Sequence, residues 1–434
     1  MKSIIKKCLK IISKAILKKQ QPKIIAVVGS VGKTSTKDAI HCVLENKFKV
    51  RSSQGSYNNE LGVPLTILGE TSGGKNILKW CRILLKGINL VLFKDKEYPQ
   101  ILVLELGVDK PGDMDYMLGF IKLNIACITA ISEIPVHLKN FKDVDELVAE
   151  KLKVVKNLSK DDQVVLNYDN RLARLARDKT DAKIIPYGQG KKAEVRVLNI
   201  TRSQDNLIYG QEKLLNLNYK LSWSQNIVPV RMPYILGKHQ VYASLAAASC
   251  GLALGMNLVE ISQNIYNLKS PKGRTNLLLG IKYTHIIDDS YNASPDSTIA
   301  ALQVLSELKP QGSRIAILGD MLELGLKNEE GHRKVGEVAV KSCDVLVLVG
   351  ESSLYIADEA KKKGMLEDNI YQFKNDETIE AAKFVQNKIL KKGDLVLIKG
   401  SQALRMEKAV RELMAEPMKA SNLLVRQGEE WEKK

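Results

Sequence analysis

The sequence lacks the features that mark a membrane-spanning or a disulfide-bonded protein. No apolar run approaches the roughly 18–20 residues needed to cross a bilayer. The cysteines stand singly along the chain and form no CxxC pair, which disfavours both a structural zinc site and a disulfide framework. No internal repeat occurs, and no set of residues suggests a nucleophilic catalytic triad. Reduced, cytoplasmic surroundings are the simplest interpretation.

The composition is that of a globular protein with an excess of positive charge. Of the 434 residues, 44% are hydrophobic and 26% are charged, which excludes a disordered or fibrous chain. Lysine and arginine outnumber aspartate and glutamate by 66 to 49, a formal charge of +17. This excess favours an anionic partner such as a nucleotide, an acidic substrate or a membrane surface. Because no nucleic-acid-reading motif is present, we expect no nucleic-acid partner.

The N-terminus predicts a basic amphipathic helix. Residues 1–19 hold seven lysines and no acidic residue, with apolar residues at helical spacing. Lysines interrupt every stretch that could serve as the apolar core of a secretory signal. The helix could lie on an anionic leaflet as a peripheral membrane contact, or pack its apolar side on its own domain. Residues 75–94 form a second basic amphipathic segment, for which a core helix is an equal alternative.

After the N-terminal segment, short β-branched runs alternate with helical stretches, and this pattern predicts an α/β fold. This alternation is interrupted near residue 270, and a second alternation of strands and helices begins there. We therefore expect a basic helix at residues 1–21, a central P-loop ATPase domain with a mostly parallel sheet at 22–270, and a C-terminal Rossmann-like α/β domain at 271–434. Between about residues 182 and 230 the pattern predicts an antiparallel patch within the central domain.

The strongest local motif is GSVGKT at residues 29–34, which follows a predicted strand and opens a predicted helix. Backbone N–H groups of such a turn, together with the positive helix end, bind phosphate oxygens. Lys33 would add charge at the β- and γ-phosphates, and Thr34 would offer a hydroxyl ligand to Mg²⁺. An incidental glycine turn would not explain why lysine and threonine follow together.

Three further residues are candidates for metal or phosphate chemistry. Glu105 ends a predicted buried strand, at the edge where α/β proteins bind ligands, and a carboxylate there suits Mg²⁺ better than a sheet core. His137 follows another apolar run, where a structural histidine is the commoner interpretation. Lys151 lies inside a predicted helix, where a solvated lysine would be the ordinary expectation.

These motifs, in this order, resemble those of the Mur ligases, ATP-dependent amide-bond-forming enzymes of peptidoglycan synthesis. The similarity also includes NNELGVPLT at residues 58–66, DDSYNASP at 288–295, GDMLELG at 319–325 and KGS at 399–401. It runs from about residue 23 to residue 411. Within the family, the last three blocks are most similar to the ligase that adds D-alanyl-D-alanine to a muramyl-tripeptide.

The resemblance implies a role for each residue at a matching position. Lys151 matches a lysine that CO₂ carbamylates, which would turn a cation into an anion able to ligate a second Mg²⁺. The implied catalytic residues are Lys33, Glu105, His137, Lys151 and Arg274. The implied magnesium ligands are Thr34, Glu105, His137 and Lys151. The implied ATP-binding residues are Gly29, Ser30, Val31, Gly32, Lys33, Thr34, Ser35, Asn167, His239, Gln240, Arg274 and Asp289. The implied substrate-binding residues are Asn58, Asn59, Asn292, Asp320, Lys399 and Ser401.

The chain departs from the family pattern in two places. The family's GxHNxxNxLAA segment is GKHQVYASLAA at residues 237–247, so Gln240 and Ala243 replace the two asparagines that bracket adenine. Gln240 could still hydrogen-bond to the purine edge, but Ala243 could not. Only about 23 residues precede the first predicted strand, whereas family members carry an N-terminal domain that binds the uridine diphosphate of the substrate. We expect an enzyme that either grips UDP through lysines or takes a lipid-linked acceptor.

The implied activity is ATP-dependent ligation through an acyl phosphate, by a cytoplasmic monomer that works at the inner face of the membrane. Its partners would be ATP, two Mg²⁺ ions, a UDP-linked muramyl-tripeptide and D-alanyl-D-alanine. One alternative is a ligase of the folylpolyglutamate-synthase type, or one with a different or lipid-linked acceptor. A second alternative, from another class, is a membrane-associated P-loop protein that binds nucleotide without ligase chemistry.

Overall fold

The structure, a computed structural model, describes residues 2–53, 55–212, 215–428 and 431. Each of the three predicted segments, 1–21, 22–270 and 271–434, therefore includes residues outside the described part. The described strands are β1 (Lys23–Val28), β2 (Val50–Ser52), β3 (Ile101–Glu105), β4 (Ile125–Ile128), β5 (Gln163–Asn167), β6 (Lys183–Gly188), β7 (Val195–Arg202), β8 (Leu217–Trp223), β9 (Asn226–Met232), β10 (Asn276–Gly280), β11 (Thr284–Asp289), β12 (Arg314–Gly319), β13 (Val345–Val349), β14 (Ile370–Phe373) and β15 (Leu395–Lys399).

Helices surround these strands and form the outer layers. The described α-helices are α1 (Lys2–Gln20), α2 (Lys33–Leu44), α3 (Gly62–Leu68), α4 (Ile77–Leu92), α5 (Asp113–Leu118), α6 (Val144–Leu152), α7 (Arg171–Arg174), α8 (Val241–Ala253), α9 (Leu258–Ile265), α10 (Pro295–Glu307), α11 (Asn328–Ser342), α12 (Leu354–Lys362), α13 (Thr378–Phe384), α14 (Glu407–Leu413) and α15 (Ala420–Leu423). None of the helices in the described part of the chain has the length and apolar character that crossing a bilayer requires.

The described strands form two sheets, which confirms the predicted α/β fold class. The first has the order β2-β3-β1-β4-β5-β6-β7-β8-β9 and is parallel up to β7, after which β7, β8 and β9 pair antiparallel. The predicted antiparallel patch thus continues the parallel sheet. The second sheet has the order β10-β11-β15-β12-β13-β14, and within it only β10 runs antiparallel to its neighbour among the described strands.

The register of the first sheet brings the two best-marked motifs together. β1 pairs in parallel with both β3 and β4, and Val27 of β1 lies beside Glu105 of β3. Since parallel strands end at the same sheet edge, the glycine loop after β1 and the carboxylate at the end of β3 become neighbours. Alanine-rich α8 packs against α2 in the core beneath this edge, where small side chains allow close approach.

Helix α1 packs its apolar side on the first domain, the second of the two alternatives that the sequence left open. Leu9, Ser13 and Ile16 are fully buried, and the helix lies against α3 and α4. The Gln20 amide donates to the carbonyl oxygens of Leu90 and Phe93, which ties the end of α1 to the end of α4. The N-terminal helix is therefore part of the first core.

Candidate active site

The loop between β1 and α2 forms the anion-binding end of the site. Gly32 has a φ of 82°, a left-handed conformation that favours glycine. The first N–H groups of α2 have no acceptor within the helix and point toward this loop. The partly buried Lys33 ammonium donates to the carbonyl oxygens of Gly29 (3.0 Å) and Ser30 (3.3 Å). Burial lowers the pKa of Lys33, and the nearby Glu105 carboxylate opposes that shift.

We expect Gly29→Ala to weaken nucleotide binding by at least about tenfold, because one lost charge-assisted hydrogen bond costs ~1.5–3 kcal/mol. A Cβ at Gly29 would lie 1.9 Å from Oγ1 of Thr129, so the loop must move. Titration calorimetry with ATP and Mg²⁺ measures the effect. Gly119→Ala is the matched control, since its Cβ would meet no atom closer than 3.3 Å. Equal affinities of the two variants would contradict the prediction.

Thr34 and Glu105 lie together and form a fitting anchor for a divalent cation. The Thr34 hydroxyl donates to Oε2 of Glu105 at 2.9 Å, and the Asn58 amide donates to Oε1 at 2.9 Å. The Glu105 carboxylate is buried, and both of these partners are neutral groups. A buried anion without a bonded cation is costly, and Mg²⁺ is usually held by one or two protein oxygens together with phosphates and water.

Lys151 lies beside the glycine loop. Its ammonium is buried on α6 and donates to the carbonyl oxygen of Gly29 at 3.2 Å. Burial, and after it the positive charge of Lys33, lower the pKa of Lys151 to about 7, while Asp109 opposes the shift. A lysine with this pKa has a substantial neutral fraction near physiological pH, which the position in a helix did not reveal.

His137 contacts neither Thr34 nor Glu105 in the described structure, and its place among the implied magnesium ligands stays a prediction. Its Nδ1 lies 2.6 Å from Oε2 of Glu323, and its Nε2 lies 3.4 Å from Oδ1 of Asp109. Burial lowers the pKa of His137, and the two carboxylates oppose that shift. Glu323 belongs to the second domain, so His137 bridges the two domains. Among the described residues, no group of three or more His, Cys, Asp or Glu side chains could hold a metal ion.

The second domain supplies the opposite wall of the site. The Arg274 guanidinium lies 4.1 Å from the ring centre of Tyr291. Asp289 is paired on both oxygens, with the Lys399 ammonium at 2.7 Å and the backbone N–H of Thr275 at 3.0 Å. Burial lowers the pKa of Lys399, and the Asp289 carboxylate opposes that shift. Asp289, predicted to bind ribose, is therefore held in place from within its own domain.

A cavity of about 330 Å³ lies between these walls. Its lining comes from both domains and includes many of the residues to which the sequence assigned ATP binding: Val31, Gly32, Ser35, Asn167, His239, Gln240, Arg274 and Asp289. The structure thus brings together side chains that lie more than 200 positions apart in the chain. The size and the lining, which is largely apolar with a few polar side chains, suit a nucleoside.

The Gln240 amide is already engaged. Its oxygen accepts from the N–H of Gly237 at 3.0 Å, and its nitrogen donates to Oγ of Ser270 and to the carbonyl of Arg274. With both N–H groups used, the side chain has one remaining lone pair for a purine. Gln240 fixes the link between the domains, and the adenine contact assigned to it stays a prediction.

Several residues assigned to substrates make hydrogen bonds within the protein. The side-chain oxygen Oδ1 of Asn59 accepts from the N–H groups of Leu61 and Gly62 at the start of α3. The Asp320 carboxylate accepts from the N–H groups of Ser352 and Ser353 before α12. The substrate roles of Asn59 and Asp320 stay predictions.

Two other residues assigned to substrates are also hydrogen-bonded within the protein. The Ser401 hydroxyl oxygen accepts from the N–H of Leu322, and Oδ1 of Asn292 accepts from the N–H groups of Ala293 and Gln402. The bonds from Leu322 to Ser401 and from Gln402 to Asn292 join segments that lie far apart in the chain. The substrate roles of Ser401 and Asn292 stay predictions.

The sequence did not single out Lys37, a buried lysine one turn after Lys33. Its ammonium donates to the carbonyl oxygens of Ser53 and Gly55 and pairs with Asp38 at 2.8 Å. These contacts hold the chain just before Ser56 and Asn58. Lys37 follows Lys33 by four residues in the same helix, so the two side chains lie on one face of α2. This spacing could have identified Lys37 from the sequence.

Comparison with known proteins gives matches over most of the chain. Residues 27–78 and 86–251 match the Mur ligase middle domain, and residues 273–402 match the Mur ligase glutamate ligase domain. The UDP-N-acetylmuramoyl-tripeptide–D-alanyl-D-alanine ligase of Bacillus subtilis is 28% identical over 408 residues, which cover 94% of this chain and 79% of the relative.

Solved structures agree in fold. MurF from Acinetobacter baumannii aligns with a TM-score of 0.76 at 24% identity and covers 95% of this chain and 80% of its own. MurF from Thermotoga maritima in complex with ADP aligns with a TM-score of 0.73 at 21% identity and covers 94% and 83%. Since the middle-domain match alone takes in half of the sequence, the chain belongs to the Mur ligase family.

Proposed function

We propose that this chain is an ATP-dependent ligase of peptidoglycan synthesis that joins D-alanyl-D-alanine to the terminal carboxylate of a UDP-N-acetylmuramoyl-tripeptide. The observation that carries the proposal is the cleft, where the phosphate loop faces Arg274 and Asp289 of the second domain. The relatives from Bacillus subtilis and Rickettsia prowazekii, each 28% identical, are named for this reaction and support the choice of substrates.

In the proposed reaction, an oxygen of the acceptor carboxylate attacks the γ-phosphorus of ATP, which gives an acyl phosphate and ADP. The dipeptide amine then attacks the acyl carbon, phosphate leaves, and the amine loses a proton. Lys33 stabilises the charge of the transferred group by position and electrostatics, so no covalent protein intermediate is needed. Arg274 approaches from the opposite wall, and closure of the second domain would complete the site.

Magnesium fits the anchor formed by Thr34 and Glu105, which would hold it through a hydroxyl and a carboxylate oxygen. When bound, the ion would neutralise phosphate charge. Lys151 would join the site as a carbamate, formed when its neutral amine attacks the carbon of CO₂ and releases a proton. Its burial, its lowered pKa and its place beside Gly29 support that modification.

The competing functions leave specific features unexplained. A ligase of the folylpolyglutamate type shares the phosphate loop and the metal carboxylate, but the blocks at residues 288–295 and 319–325 are not explained by it. A nucleotide-binding switch would need neither a neutral lysine beside the loop nor a second domain whose Arg274 lines the same cleft.

The decisive measurement is phosphate release from ATP with substrates added singly and together. We expect release only when D-alanyl-D-alanine and the UDP-linked muramyl-tripeptide are both present, because the dipeptide amine is needed to discharge the acyl phosphate. ATP hydrolysis at the same rate with and without the dipeptide would favour a nucleotide-binding switch without ligase activity. A panel of UDP-linked, lipid-linked and carrier-free acceptors would then identify the preferred carrier.

The proposal includes a location. We place the enzyme in the cytoplasm as a monomer at the inner face of the membrane. The formal charge of +17 and the acid-free N-terminal helix support this placement, since the cytoplasmic leaflet is anionic.

A further inference from the structure

Helix α4 has two apolar faces, of which the fold uses one. Trp80, Ile83 and Leu90 are buried in the first core. On the other side, Leu78, Leu85 and Leu92 are exposed by 81%, 67% and 60%. The spacing of seven residues places these three leucines in one line along the helix. We call these three side chains the leucine face. Ile88, on the same side of the helix, and Phe93, just after its end, are also exposed.

Isolated exposed leucines are ordinary in proteins, but three exposed leucines in one row on a helix, with further exposed apolar side chains beside them, indicate an interaction surface. Packing within the described chain does not account for it, since the buried face of α4 already contacts α1 and the core. The leucine face is therefore available to something outside the chain.

Positive charge borders the leucine face. Helix α4 contains Lys79, Arg82 and Lys86 and no acidic residue. The Lys86 ammonium pairs with Glu70 at 2.7 Å, so the net positive charge of this border comes from Lys79 and Arg82. By helical geometry these three cations lie on one flank of the leucine line. Helix α1, which packs against α4, also has no acidic residue, and its exposed side carries Lys7 and Lys14.

This combination fits a membrane better than a protein partner. Lysine is depleted at the cores of protein interfaces, whereas helices that lie on bilayers combine an apolar side with lysine and arginine beside it. Apolar side chains would enter the boundary between headgroups and acyl chains, while the cations contact lipid phosphates.

The surface also lies near the reacting end of the enzyme. Lys6 of α1 pairs with Glu60, which follows two residues after Asn58, and Asn58 donates to Glu105. Helix α1, against which α4 packs, therefore contacts the loop that leads to the metal anchor. A membrane-bound ligase would hold this side of its cleft close to the bilayer.

We propose that the leucine face of α4, with the bordering cations of α1 and α4, docks on an anionic phospholipid surface. The proposal refines the location suggested above, but it does not depend on the ligase reaction. Its test uses the full-length protein without nucleotide or acceptor, so its failure would leave the proposed activity untouched.

Vesicle flotation tests the docking surface. We expect wild-type protein to float with vesicles of phosphatidylcholine and phosphatidylglycerol, and to bind pure phosphatidylcholine at least about tenfold more weakly. The triple variant Leu78→Ser, Leu85→Ser and Leu92→Ser should lose at least about tenfold in affinity for the anionic vesicles. Its fold should persist, because the exposed side chains contribute little to the core.

The matched control is Leu175→Ser, Leu354→Ser and Leu366→Ser, with side chains exposed by 44%, 48% and 71% away from α4. This control should bind as wild type does. A charge variant, Lys7→Gln with Lys14→Gln and Arg82→Gln, should weaken binding and reduce its salt dependence. Equal vesicle binding by the leucine variant and its control would overturn the proposal. The proposal would also be overturned if wild-type protein did not bind the vesicles and instead self-associated through the leucine face, as measured by sedimentation.

Discussion

Replacing Lys33 by alanine is expected to lower the kcat of ligation by about three orders of magnitude. The ammonium lies at the phosphate loop, donates to two of its carbonyls and interacts electrostatically with Glu105. Alanine keeps the helix but removes the charge that would stabilise the transferred phosphoryl group. Steady-state measurement of ADP formation, with both peptide substrates present, gives the size of the effect.

The fold should tolerate this change. Burying part of the Lys33 ammonium costs desolvation free energy in the wild type, and alanine removes that cost. Thermal unfolding without nucleotide is therefore expected to change little. Lys47→Ala, just beyond the end of α2 and paired with the exposed Glu260, is the matched control and should retain activity. A Lys33→Ala enzyme with near-normal kcat would remove the phosphate loop from the mechanism.

Lys151→Ala is expected to lower activity by about two orders of magnitude or more, and short carboxylates should restore part of it. The methyl group leaves space beside Gly29 that an added carboxylate can occupy, supplying the anion that the carbamate would otherwise provide. Activity is measured with formate, acetate or propionate over a range of concentrations. Lys156→Ala, an exposed lysine beyond the end of α6, is the control and should respond to none of them.

The pH dependence should follow the amine of Lys151. Its pKa is lowered to about 7 by burial, so the neutral form that reacts with CO₂ dominates above that pH and declines below it. Activity limited by carbamylation should therefore fall as the pH drops below about 7, and added bicarbonate should raise it. An alanine variant that stays fully active would refute the role of Lys151.

Local motifs made much of the site predictable. The loop at residues 29–34 and its flanking strand and helix are contiguous in the sequence. The β-branched run, the glycines of the turn and the start of the helix can therefore be recognised without knowledge of the rest of the chain. Glu105 was identified because a carboxylate at the end of an apolar strand conflicts with burial. The parallel register, which places it beside Val27, then follows from the alternating pattern.

Contacts between distant parts of the chain could not be predicted from local motifs. Asp320 and Ser401 lie in motifs that resemble substrate-binding blocks, and in the structure their side-chain oxygens accept from backbone N–H groups 32 to 79 positions away. His137 meets Glu323 across the domain boundary, and nothing in either local sequence announces that contact.

The sequence by itself determined the alternation of strands and helices, the phosphate loop and the positive charge, because each depends on near neighbours or on simple totals. Tertiary structure decided that one side of α1 is buried and that a row of leucines on α4 faces outward. It also decided that the Gln240 amide hydrogen-bonds to Ser270 and Arg274, where the two domains join. Those outcomes depend on which surfaces meet, and an amphipathic pattern gives the direction of an apolar face without naming the partner that covers it.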